Sequence, residues 1–222
     1  MSRKASWLQG VRGEWILLAA LAASYPASLV LPAAWSREGG LLENLQVVVL
    51  GLGCALALLV CLRARPARVA MLALWAAPVW LLLAGRELSW GKAWLLQPGA
   101  EAMAATAHWV GPLARPLAVV LLAWLAFSAW HYRIDGPVRA AFARRVPWLC
   151  LLVTLVGAMG STCAEGHMSC HLDMAASSAQ LFEELCELLA YVALCMIQHV
   201  VFTHQAPVLR APAIVHPVEE VG

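Results

Sequence analysis

Six apolar runs dominate this 222-residue chain and restrict it to very few architectures. The hydrocarbon core of a bilayer is about 30 Å thick and asks for roughly 20 apolar residues per helix. The runs lie near residues 14–34, 43–62, 69–85, 116–130, 146–161 and 180–203. The fourth and fifth are the shortest, and the fourth has an alternative, earlier start at His108. Between them the runs account for a composition that is 62% hydrophobic and 13% charged, with a mean hydropathy of +0.74. An ordinary soluble domain carries about 25% charged residues, so a water-facing fold of this size has no place for the surplus apolar surface. The expected fold class is an all-α, polytopic membrane helical bundle of about six transmembrane helices. Residues 1–203 form the membrane domain, and 204–222 form a cytoplasmic tail containing Pro207, Pro212 and Pro217.

The basic residues set an expected orientation. Arg3, Lys4, Arg12, Arg63, Arg65, Arg68, Arg133, Arg139, Arg144, Arg145 and Arg210 fall on one set of loops and termini. Arg37, Arg86, Lys92 and Arg115 fall on the other. The positive-inside rule then places both termini in the cytoplasm, with the first apolar run kept as a helix. Trp15, Trp35, Trp90, Trp94, Trp109, Trp130 and Trp148 sit near run ends, where indole rings favour the headgroup layer. The segment from Arg86 to Arg115 reads as the largest outward loop, lying against the membrane surface. A net charge of +2 gives no reason to expect nucleic acid as a partner. The expected partners are the lipid bilayer and other membrane subunits. The chain contains no sequence pattern that names a cofactor.

The acidic residues gather at the outward ends. Glu43 enters the second helix, Glu87 leaves the third, and Glu183, Glu184 and Glu187 enter the sixth. A carboxylate in the apolar zone costs roughly 2.5–3.5 kcal/mol on insertion scales and normally faces protein or water with a partner. On the sixth helix, spacings of three and four bring Glu183, Glu184 and Glu187 near one face. That face continues through Tyr191 and Cys195 to Gln198 or His199. Two readings stand. The acids form a proton, cation or metal site or an acid–base pair, or Glu183 and Glu184 simply decorate a helix N-terminus, where the dipole favours anions. The candidate polar site is Glu43, Glu87, Ser89, Glu184, Glu187 and Tyr191, with Asn44 and Gln46 as hydrogen-bonding neighbours. Arg86 is a less favourable partner for Glu87 itself, because adjacent helical residues point about 100° apart.

The loop from Cys163 to Asp173 holds a second candidate. Cys163 and Cys170 either form a disulfide, as expected outside the cytoplasm, or join a metal site with His167, His171 and Asp173. Ser89 and Ser161 are isolated nucleophile candidates. No phosphate-cradling glycine loop, His-Glu-x-x-His pair or Gly-x-Ser-x-Gly elbow is present.

The segment Gly85-Arg86-Glu87-Leu88-Ser89-Trp90-Gly91-Lys92 resembles a Gly-Glu-Glu-Ile-Ser-Trp-Gly-Gln signature found in a loose group of uncharacterised bacterial multi-span membrane proteins. Two further segments are similar to that group: Gly40 to Gln46, with its acidic residue entering an early helix, and Glu183-Glu184-Leu185-Cys186-Glu187, which matches a closing Glu-Glu-x-x-Glu helix. Arg86 and Lys92 depart from the signature, where Glu and Gln are usual. The resemblance implies that the three acidic segments form one site. The expected location is the bacterial inner membrane. It carries no activity. The function classes left open are an accessory or structural membrane subunit, a membrane enzyme acting on a lipid-linked or envelope substrate, and a proton- or cation-coupled transporter.

Overall fold

The computed structural model describes residues 3–37, 40–64, 67–87, 101–131, 133, 136, 138–139, 147–166, 170 and 172–205, with side chains for all of these except 3–11, 67–68, 101–115 and 204–205. Among the described residues the chain is entirely helical and forms a helical bundle. The α-helices are α1 (Arg3–Val30), α2 (Leu41–Arg63), α3 (Ala67–Glu87), α4 (Glu101–His131), α5 (Trp148–Ala164) and α6 (Ala176–Gln205). A 3₁₀ turn, Ala33–Ser36, joins α1 to α2. Four helices are long and apolar enough to cross a membrane: Arg12–Val30, Leu41–Arg63, Val69–Glu87 and Ala176–Thr203. Pro116–His131 and Trp148–Ala164 are shorter apolar helices. The chain is therefore a membrane protein. Among the residues with described side chains, four of the apolar runs are long enough to span the bilayer.

The element ends follow local chemistry. Pro147 caps the start of α5, where its missing N–H costs nothing. Ala64 ends α2 in an extended conformation, its backbone N–H still bonded to Val60 O. Pro26 lies inside α1 and Pro78 inside α3, as membrane helices tolerate. One expectation needs correcting. The fourth helix starts at Glu101, ahead of both Pro116 and the alternative start at His108, so half of the expected outward loop is helix. Ala102, Ala104, Ala105 and Ala107 supply the helix propensity that a hydropathy window overlooks.

Helix α6 is the hub. It packs against α1, α2, α5 and the 3₁₀ turn, while α2 and α3 form a tight hairpin and α4 lies on α3. One apolar core joins α2, α3 and α6 through Leu50, Ala57, Leu72, Ala77, Trp80 and Tyr191. A second joins α1, α5 and α6 through Leu17, Cys150, Val153 and Ala193. Small residues let the helices close up, since lipid offers no hydrophobic drive between them. A Cβ on Gly157 would lie 2.8 Å from the carbonyl oxygen of Cys186, so α5 and α6 touch backbone to backbone there. At Gly53 a Cβ would meet the Trp80 ring at 2.6 Å. Large apolar side chains such as Ile16, Val30 and Leu62 remain exposed on the outer faces, as lipid contact requires.

Alternating helix directions bring the start of α2, the end of α3, the end of α5 and the start of α6 to one end of the bundle. The candidate site is at that end. The tight crossing also generates a test. Gly53→Ala forces the Trp80 ring aside and should lower stability by about 1–3 kcal/mol, as overpacking does. Gly51→Ala, which meets nothing within 4 Å, should be neutral. Thermal unfolding in detergent separates the two, and equal midpoints would show that Trp80 yields freely.

Candidate functional site

Glu187 lies about three turns into α6 and is 6% exposed. A carboxylate there must be compensated. Arg86, in the last turn of α3, supplies the charge: its Nη2 donates to Glu187 Oε1 at 2.5 Å. Ser161, near the end of α5, donates to the same oxygen at 2.8 Å. Three helices are thus fastened to one carboxylate oxygen.

The arginine is shared. Its Nη1 donates to Tyr191 Oη at 3.2 Å, and Tyr191 Oη donates to Glu87 Oε1 at 2.6 Å. Arg86 also lies 3.6 Å from Glu87 and 3.8 Å from Glu165. The long Arg86–Glu87 distance fits neighbours that point apart on one helix. Tyr191 bridges the gap, one turn below Glu187 on α6.

A second set forms around α2. Gln46, fully buried, donates through Nε2 to the backbone oxygen of Glu184 at 3.0 Å and to Glu184 Oε2 at 2.8 Å. Its own Oε1 is buried with no hydrogen-bond partner, the sole such side-chain atom among the described residues. Glu43, one turn earlier on α2, is close enough for its charge to act on both Glu184 and Glu87. A third set brings Glu165 and Glu183 together beside Glu187. The nearest oxygens of Glu165, Glu183 and Glu187 fall within 4.8 Å of one another, a spacing that could hold a metal ion.

Depth explains the convergence. Glu43 stands about 30 Å along α2 from Arg63, Glu87 about 27 Å along α3 from Val69, and Glu187 about 24 Å along α6 from Thr203, at 1.5 Å per residue. Similar distances measured from the opposite face put all three near one level.

The structure therefore brings Glu43, Glu87, Glu184, Glu187 and Tyr191 into one network and adds Arg86, Gln46, Ser161, Glu165 and Glu183. Asn44, expected as a neighbour, binds back to Gly40 O at 2.8 Å. Ser89, His167 and His171 lie outside the described residues. Asp173 is exposed. Cys163 and Cys170 form a disulfide with Cα atoms 5.2 Å apart, which removes both thiols from any metal set. Ser161 had been noted solely as a possible nucleophile; here its hydroxyl is committed to Glu187. The Glu165–Glu183 contact went unforeseen. Its signal was the short connection from α5 to α6, which must place the end of one helix beside the start of the next.

Farther down α6 the polar stripe is sealed by packing. Gln198 Nε2 donates to Gly53 O at 2.9 Å, and its Oε1 accepts from Trp80 Nε1 at 2.5 Å. Cys195 Sγ contacts Val49 O at 3.6 Å. His199 is exposed, off the buried face. The expected line from Tyr191 through Gln198 to His199 does not form.

Comparison with protein-family models, with curated proteins and with solved structures gives no match.

Two outcomes follow from the pairing. Arg86→Met strips the counter-charge from Glu187 and Glu87. Destabilisation of about 2–3 kcal/mol is expected, below the roughly 3–5 kcal/mol of a fully buried pair, because the guanidinium is half exposed. Adding Glu187→Gln should restore most of the loss in thermal unfolding, and an R86M protein as stable as wild type would show that the acids need no arginine. Peptide mapping of alkylated, unreduced protein should find Cys163 linked to Cys170; two alkylated thiols would rule the bond out.

Proposed function

We propose that the chain is a non-conducting accessory subunit of the bacterial cytoplasmic membrane, with both termini in the cytoplasm and its acidic end facing outward. One observation carries the reading: the linked acids gather at one end of the bundle, while the buried Glu14 of α1 lies apart from them, near Cys150 at the start of α5. Below Tyr191, both ends of the Gln198 amide are taken up by Trp80 and Gly53, and apolar core fills the rest. A coupled transporter needs groups that can hand an ion or proton across, and the described part of α6 offers none beyond this point.

A catalytic reading fares less well on the same geometry. Ser161 beside Glu187 has the spacing of a nucleophile and a base. Arg86 shares the same carboxylate oxygen, however, and an arginine-neutralised carboxylate is a poor base. The acids hold helices together, as expected of a subunit whose role is to present a shaped surface.

The orientation has two independent supports. The arginine-rich loops lie opposite the acidic end. The Cys163–Cys170 bond lies at the acidic end, and disulfides persist where the compartment is oxidising.

Purified protein reconstituted in liposomes should show no proton or cation flux above empty liposomes. Flux that disappears in Glu187→Gln would overturn the accessory reading. A reporter fused after Gly222 should be active in its cytoplasmic form, and one inserted near Gly99 in its exported form. The reverse pattern would invert the orientation.

A further inference from the structure

The last turn of α5 carries more restraint than a helix end needs. The backbone already stops the helix. Glu165 N–H donates to Ser161 O and Gly166 N–H donates to Cys163 O, each at 3.0 Å. Gly166, at φ 76°, takes the left-handed conformation that a glycine adopts just past a helix. The Cys163–Cys170 bond adds a covalent tie to the same turn, which ending the helix does not require.

What strains that turn is charge. Glu165, at its end, brings a carboxylate oxygen within 4.8 Å of those of Glu183 and Glu187 on α6. Like charges this close repel. Arg86 offsets the repulsion only in part: Nη2 bonds Glu187 at 2.5 Å and stays 3.8 Å from Glu165. Glu183 is paired with no basic side chain among the described residues. Below the turn α5 is clamped on α6. A Cβ on Gly157 would lie 2.8 Å from Cys186 O, and one on Gly160 would lie 3.2 Å from Cys186 Sγ. The part free to yield is therefore the turn from Ser161 to Gly166.

We propose that the Cys163–Cys170 bond is a redox-controlled latch, holding this turn closed against the mutual repulsion of Glu165, Glu183 and Glu187. It opens by thiol–disulfide exchange with a dithiol reductant. One thiolate of the reductant attacks a sulfur of the pair and forms a mixed disulfide. The second thiol of the reductant then displaces that sulfur. The reductant leaves as a disulfide, and Cys163 and Cys170 become two thiols, having gained two electrons and two protons. Both cysteines are partly exposed, so a reductant can reach them. The released turn carries Ser161 away from Glu187 and Glu165 away from Arg86, and Arg86 remains as the partner of Glu187. The redox state of the outer compartment thereby sets the shape of the acidic face. The source of the reductant rests on the outward orientation; the opening itself does not.

The test uses the full chain in detergent, with chelator present so that no cation relieves the repulsion. The other five cysteines are free, so dithiothreitol acts on this bond alone. Hydrogen exchange in the peptide covering residues 161–166 should accelerate by about tenfold on reduction, while α2 is unchanged. Glu183→Gln removes one repelling charge and keeps the shape, and there reduction should accelerate exchange by less than about threefold. Glu165→Gln, at an exposed position, serves if that variant fails to fold. The Cys163→Ser, Cys170→Ser double variant should match reduced wild type with no reductant added. Exchange that reduction leaves unchanged would overturn the latch. So would an acceleration as large in Glu183→Gln as in wild type, since the bond would then be a staple under no electrostatic strain. Either failure leaves the non-conducting reading standing. Ion flux in liposomes would overturn that reading and leave the latch.

Discussion

A carboxylate held near membrane depth is the constraint on which the rest of this structure depends. Glu187 cannot face lipid without a cost of several kcal/mol, and it cannot be met by water while 6% exposed. Its partners must come from other helices. Arg86 arrives from α3 and Ser161 from α5, so the positions of three helices are specified by one oxygen. Tyr191 and Glu87 then extend the network back to α3, which fixes how that helix is turned. The ion pair is not a large source of net stability, since desolvation offsets much of its attraction. Its effect is selective: a rotated or shifted α3 would leave charges unmatched.

The other half of α6 is organised by a different principle. There the contacts are apolar and close, and the few polar groups are locked pairwise. Trp80 is the hinge between the two regimes. Its ring packs against Gly53 with no room for a side chain, and its indole N–H satisfies Gln198. Interhelical hydrogen bonds of this kind contribute about 0.6 kcal/mol on average in membrane proteins, so the close packing dominates the energy and the bonds choose the register. A sealed lower half makes the polar end a one-sided site.

Much of this was legible in the sequence, for physical reasons that differ by feature. The apolar runs were clear because the bilayer imposes a length, and α2 and α6 were placed within a few residues. The start of α4 was not, because alanine raises helix propensity while adding little hydropathy. Convergence of Glu43, Glu87 and Glu187 could be read by counting residues from the opposite face. Which acid the arginine meets could not. That depends on how α3 and α6 are rotated about their axes, and rotation is decided by packing such as Trp80 on Gly53. For the same reason the run from Tyr191 to His199 looked like one polar stripe. The helix turns by 100° per residue, so Gln198 faces the core and His199 does not.

The distribution of charge within the network has one more consequence. Six carboxyl groups, Glu43, Glu87, Glu165, Glu183, Glu184 and Glu187, interact with one another and with a single guanidinium among the described residues. A flexible ammonium could serve one of them at a time. The planar fork of Arg86 reaches Glu187 with one nitrogen and Tyr191 with the other, and the tyrosine hydroxyl relays to Glu87. The arginine is thereby committed to the α3–α6 seam. Glu165 and Glu183 stand together beside Glu187, on the side of the network away from Tyr191. Glu184, on the α2 side, is held instead by Gln46, which donates to both its backbone oxygen and its carboxylate and so ties the start of α6 to α2.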